Sequence, residues 1–483
     1  MSYATAQVAV TEQGHVRGAV RAETVAFLGI PYAAPPVGPL RFAPPRPHPG
    51  WTEVREAAGP GPDAPQGTSR LEALMGPGTT DWDEDGCLTL NVWTPRRAFE
   101  GVGPRPVLLW FHGGGFANGS SGWGGYDGAR LAELGDMVVV TANYRLGPLG
   151  FLYLPEIGSE NLGLQDQAVV LRWVRNNIAA FGGDPGAVTV GGQSAGAFCA
   201  LLLAIAPETG RMVRRVLLQS CPLTMSVQDP GAAAETAEAY LRLLGIRAGT
   251  DPGEALRSLP VERLLSAYGT LAADHARVAR PGDVTPVLSP VRGAGTPRAR
   301  EKAVTDGGLR GKDLLIGTTR DEMMAFYAFN PRIRSLAEAG ALDMLKARFG
   351  EQAQATYERY ATPHATPAQV LGSVHTDALF RDRALRVADR HASEGGVTYV
   401  YEFGYRRPDD VIGLGACHCS ELPFLFGTFD SYRDSPMLGR PGEREHALAR
   451  GFAGAVAEFV TTGSPNDWPP YVPSDTTSIR HFG

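Results

Sequence analysis

Of 483 residues, 43% are hydrophobic and 20% charged, and the formal net charge is −6. These proportions are ordinary for a soluble globular protein with a sizeable core, as one large domain or a few small ones. No basic stripe invites nucleic acid, and no run of about 18 apolar residues invites a membrane span.

In chain order, the N-terminus MSYATAQVAVTEQGHVRG lacks a basic leader followed by an apolar run, so no signal peptide is expected. The five cysteines, Cys87, Cys199, Cys221, Cys417 and Cys419, are few and odd in number. They fit a reduced cytoplasmic protein better than a disulfide framework. Residues 31–65 are rich in Gly and Pro and read as mostly loop, since Pro removes donors and fixes φ. Strand and helix signals then alternate. VLLWF (107–111), MVVVT (137–141), AVTV (187–190), 213–219, DLLIG (313–317) and TYVYEF (398–403) read as strands. Residues 161–180 read as a helix, with Leu164, Ala168, Leu171, Val174 and Ile178 at helical spacing, stopped by Gly182 and Gly183. A second helix is expected over 195–206. Apolar strands alternating with helices indicate a mostly parallel sheet buried on both faces. Segments of about 230–310 and 330–395 look helical and less regular, and are expected to form a cap on a single domain, 1–483.

Two glycine-rich runs carry the chemistry. After AVTV comes Gly192-Gln193-Ser194-Ala195-Gly196, a G-x-S-x-G pattern. A serine on a sharp strand-to-helix turn projects its hydroxyl from the sheet edge, and the following helix aims its first amides at developing negative charge. The pattern alone also fits a plain glycine-rich turn; the flanking strand and helix favour a nucleophile. Earlier, VLLWF runs into His112-Gly113-Gly114-Gly115-Phe116. Consecutive glycines let backbone N–H groups face a substrate oxygen, so Gly114 and Gly115, with Ala195, are candidate oxyanion donors. A bare anion-binding turn is the alternative; a phosphate loop is not, because no Lys-Ser or Lys-Thr follows.

With these runs stand FLGIPYAAPPVGPLRF (Phe27–Phe42), CLTLNVWTP (Cys87–Pro95), NYRLGPLGFL (Asn143–Leu152), AAFGGDP (Ala179–Pro185), GTTRDE (Gly317–Glu322), CHCSELPFLFG (Cys417–Gly427) and WPPY (Trp468–Tyr471). In that order they resemble the type-B carboxylesterases, a branch of the α/β-hydrolase fold that includes bacterial para-nitrobenzyl esterases and the cholinesterases. The resemblance covers almost the whole chain. It implies a serine carboxylesterase acting on small or medium uncharged esters without cofactor or metal, with a monomer favoured. It puts the acid on Glu322, with Asp321 as the alternative, and the base on His418. His112 breaks the expected order Ser, acid, His, and a shaping role is expected of it.

Three positions depart from that family. Gln193 stands where Glu is usual, which removes a negative charge and counts against cationic, choline-like substrates. Ala64 stands where secreted relatives carry the disulfide partner of the cysteine at Cys87, so that bridge cannot form. Gly86 replaces a usual acid, and Arg41 with Asp85 matches a structural ion pair. Two other functions compete with the esterase. A binding module on the same fold would usually lack the serine or histidine, and both are present. A metal site at Gly415-Ala416-Cys417-His418-Cys419 lacks a second ligand pair elsewhere. If that stretch is extended, its two cysteines point away from the side His418 uses and serve as packing residues.

Overall fold

Strand β6 (Arg105–Phe111) shows why the central strands read as unbroken apolar runs. Val107, Leu109 and Phe111 enter one buried cluster, while Leu108 and Trp110 enter another on the opposite face. A period of two with both faces covered leaves no polar position. The same division holds for β7 (Val138–Ala142) and β10 (Asp313–Thr319), where Val139 and Leu315 face opposite to their neighbours. The structure is a computed structural model, and it describes residues 7–76, 81–101, 103–247, 249–280, 282–296, 304 and 306–483.

The sheet is mixed. β1 (Gln7–Thr11), β2 (Gly14–Val20), β3 (Thr24–Pro31) and β5 (Thr89–Pro95) run antiparallel at one end, with β4 (Arg55–Ala57) beside β2. From β7 the strands run parallel through β6, β8 (Gly183–Gln193), β9 (Arg215–Gln219), β10, β11 (Thr398–Phe403) and β12 (Arg480–Phe482). This is the α/β-hydrolase architecture. Helices Leu162–Asn177 and Ala195–Ile205 cover one face, and Glu443–Thr462 covers the other. The expected strands and helices all form: β6 and β10 run two residues beyond their apolar runs, β8 extends over Gly183–Gln193, and β9 starts two residues later than expected. Residues 31–65 are mostly loop, as the prolines dictate.

The two irregular segments are helical. The first contributes Pro230–Leu244, Pro252–Ser258 and Val261–Val278; its residues 248, 281, 297–303 and 305 lie outside the described residues. The second contributes Glu338–Phe349, Ala353–Tyr360 and Pro367–Thr376 around a small core of its own, including Leu345, Tyr357 and Leu371, and Asp382–Ser393, which packs on the main core through Ala384 and Ala388. Among the described residues no helix is long and apolar enough to cross a membrane. All five cysteines are free and buried.

Two ion pairs fasten loops to this frame. Arg41 pairs with Glu84, through Nε to Oε1 at 2.7 Å and Nη2 to Oε2, not with Asp85. The expected partner is displaced by one position because a turn at 83–86, held by the Asp85 N–H to Asp83 Oδ1, carries Asp85 outward. Arg145, in the loop after β7, forms two parallel bonds to Asp166 on helix 162–177, at 2.8 and 2.7 Å. Asp166 also accepts the Arg145 backbone N–H at 3.0 Å, and both side chains are buried. Removing one member of such a pair strands the other. Asp166→Ala should destabilise the fold by about 3–5 kcal/mol, read as a lower midpoint in urea denaturation.

Candidate active site

Ser194 sits between β8 and helix 195–205 with φ 56° and ψ −123°, a backbone state that costs a non-glycine residue about 1–3 kcal/mol. The two flanking glycines permit it. A Cβ on Gly196 would lie 2.1 Å from the Phe111 carbonyl oxygen, and one on Gly192 would lie 2.5 Å from Gly196 C. The Ser194 N–H donates to Gln219 O at 2.9 Å, which ties the turn to the end of β9. The side chain is half-buried and lines a cavity of about 590 Å³.

His418 and Glu322 follow the ends of neighbouring strands, β11 and β10. The Nδ1 of His418 lies 2.5 Å from Glu322 Oε2. Because a carboxylate oxygen accepts, Nδ1 donates and Nε2 keeps its lone pair. The other oxygen, Glu322 Oε1, accepts the Thr319 N–H at 2.9 Å, so the carboxylate is fixed at both ends. Asp321 has a different role: it accepts the Ala416 N–H at 2.9 Å and pairs with Arg320. Nε2 of His418 faces the cavity and meets the Gln193 side-chain Nε2 at 3.1 Å. Ser194 Oγ makes no hydrogen bond among the described residues, so the amide of Gln193 holds the lone pair that a nucleophile would need. Phe326 and Phe380 flank the imidazole, with ring centroids 5.5 and 5.4 Å away.

Gly114, Gly115 and Ala195 line the same cavity. Their N–H groups have no acceptor among the described residues: the first two lie in a loop, and the third opens a helix. Gly114 has φ 111°, and a Cβ there would lie 2.0 Å from Asn118 O. His112 is buried behind this loop. Its ring stacks on Tyr144 at 4.5 Å, its Nδ1 meets Gly113 O at 2.8 Å, and burial pushes its pKa down to about 4. It shapes the loop as a neutral ring.

The stretch around His418 is a turn, not an extended segment, which corrects the expected placement of the cysteines. Cys417 packs into the core, but Cys419 (φ 76°) lines the cavity and accepts from Gln193 Nε2 at 3.4 Å. Two further features have no local signature in the sequence. The π turn Asp377–Arg381 interrupts two α-helices and brings Leu379 and Phe380 to the cavity. Glu421 is fully buried, and neither carboxylate oxygen has a hydrogen-bond partner among the described residues. Burial, then the nearby Glu322, pushes it up to about 8; the Ser220 hydroxyl lies close enough to oppose this but outside hydrogen-bond geometry. At neutral pH it is therefore mainly uncharged, and Glu322 has no second anion beside it. The folded state keeps a proton that the unfolded chain releases near 4.5. That stabilisation is complete below the unfolded value and is lost as pH rises to about 8. Glu421→Gln should thus gain thermal stability relative to the parent as pH goes from about 5 to about 9. Parallel melting curves check it.

The family model for carboxylesterases matches residues 5–481. The phenmedipham hydrolase of Pseudarthrobacter oxydans is 37% identical, over 98% of this chain and 94% of its own. The para-nitrobenzyl esterase of Bacillus subtilis is 35% identical, over 97% and 93%. Among solved structures, the Geobacillus stearothermophilus carboxylesterase EST55 superimposes with a TM-score of 0.83 at 36% identity, covering 96% of this chain and 94% of that one. A whole-chain family match, relatives above a third identical and a shared fold agree: the chain belongs to the carboxylesterase family and is a carboxylic-ester hydrolase.

Proposed function

We propose that the hydrolysis runs through an acyl-enzyme on Ser194, with His418 as general base and acid, Glu322 as its orienting carboxylate, and Gly114, Gly115 and Ala195 as oxyanion donors. The observation that carries this reading is the oriented Glu322–His418 pair opening onto the cavity that holds Ser194 and three uncommitted N–H groups. Substrate entry would move the Gln193 amide off His418 Nε2, freeing the lone pair; unliganded sites often hold such bonds loosely. Ser194 Oγ then attacks the ester carbon while its proton passes to Nε2. The carbonyl oxygen takes the negative charge and is met by the loop and helix amides. Collapse breaks the bond to the alcohol, which leaves with the proton from His418. Water, deprotonated by the same nitrogen, attacks the acyl-enzyme and releases the acid and Ser194.

The same reading takes residues 1–483 as one catalytic unit whose inserted helices, about 230–310 and 330–395, wall the cavity. Tyr268 and Phe380 belong to these segments. Five free, buried thiols support a reducing, cytoplasmic setting, with the chain as a monomer.

Ser194→Ala should lose at least about 10³-fold in kcat on a short-chain nitrophenyl ester and lose labelling by a fluorophosphonate probe. Turnover at the parental rate would overturn the assignment. Gln193→Glu puts an anion against His418 Nε2 and favours its protonated form, so the acidic limb of the kcat/KM profile should move to higher pH. An unmoved limb would show that Gln193 does not touch the working base.

A further inference from the structure

The charged groups of the cavity lie at one end of it. Phe116, Ala195, Phe380 and His418 are buried and form its floor, whereas Arg70, Arg280 and Asp283 are exposed and form its rim. Asp283 is the single carboxylate among the described lining residues, so the rim carries two cations against one anion. No carboxylate lines the floor itself: Glu322 lies behind His418, and the residue preceding Ser194 is the neutral Gln193.

The two guanidiniums are not committed elsewhere. Neither forms an ion pair within 4.0 Å among the described residues, and the contact of Arg70 Nη1 with Val284 O is long, at 3.5 Å. Partial desolvation at the cavity mouth lowers the pKa of Arg70 from the ordinary range, against the opposing pull of Tyr268 and Asp283. A guanidinium presents five donors in a planar fork that matches a carboxylate. Both guanidiniums line the cavity, and the long Arg70–Val284 contact is the one hydrogen bond either makes among the described residues. Arg277, one helical turn before Arg280, differs, since it is paired with Asp274.

We propose that Arg70 and Arg280 form an anion subsite at the mouth of the cavity, and that the enzyme prefers esters bearing a carboxylate remote from the scissile bond. The inference rests on the active-site reading above, with Ser194 at the floor. It adds a substrate class: half-esters of dicarboxylic acids, or esters whose alcohol half ends in an acid. A cationic ester meets the same rim as repulsion.

The test uses matched pairs followed by pH-stat: monoethyl pimelate against ethyl heptanoate, and acetoxyhexanoate against hexyl acetate. In the parent enzyme the anionic member of at least one pair should have the higher kcat/KM, and its advantage should shrink between about 20 mM and about 500 mM NaCl. Arg70→Gln combined with Arg280→Gln should lower the anionic-to-neutral ratio about tenfold. Lysine at both positions should retain part of the preference, and Asp283→Asn should raise it. A ratio unmoved by these substitutions, or no anionic advantage in either pair, overturns the subsite. Calorimetric binding of the same pairs to Ser194→Ala, with and without the arginines, separates the two ideas. If no ester is turned over but anions bind through the arginines, the acyl-enzyme reading fails and the subsite stands. If esters are turned over and anions gain nothing from the arginines, the reverse holds.

Discussion

The close approach of helix 195–205 to the end of β6 is the constraint on which the site depends. Gly192 and Gly196 lie so near the Phe111 carbonyl and each other that one methyl group would force the elements apart. The same contact that bends Ser194 into its strained turn brings the Gly114–Gly115 loop alongside it. The Ser194 turn and the free N–H groups of the Gly114–Gly115 loop are thus set by a single packing distance, with the parallel sheet beneath them. Strain at Ser194 persists because β8, β9 and the helix fix the backbone on three sides.

The electrostatics of the floor are economical in charge. Glu322 is the carboxylate that meets His418; Glu421, which feels the charge of Glu322, is kept mainly protonated by burial. Gln193 offers a neutral amide to His418 Nε2. The imidazole therefore has one oriented carboxylate, on Nδ1, and a neutral amide on Nε2.

Much of this was legible in the residues. Strands buried on both faces leave continuous apolar runs, so β6, β7, β8 and β10 can be read without homologues. The glycine runs around Ser194 and Gly114 mark positions where a side chain is sterically excluded, and that exclusion is a local property. What was not legible depends on distant contacts. Arg41 could pair with Glu84 or Asp85, and the turn at 83–86 decides. The π turn at 377–381 is set by what Leu379 and Phe380 must reach. Cys419 was read as facing away because an extended backbone alternates; its φ of 76° rotates it toward Gln193 instead. Glu421 looks like any acid beside a helix start until its burial is known.

The five thiols bear on recovery after damage. In the folded chain they are buried, Cys419 at the cavity wall, and burial raises Cys87, Cys199, Cys417 and Cys419 well above the ordinary thiol range, which keeps the reactive thiolate scarce. Unfolding removes that protection from all of them at once. In air, the opened chain can join pairs that the native sheet holds far apart, since Cys87 and Cys419 belong to opposite faces. Such mismatched bridges block the route back to the native sheet, and a reductant present during melting keeps that route open.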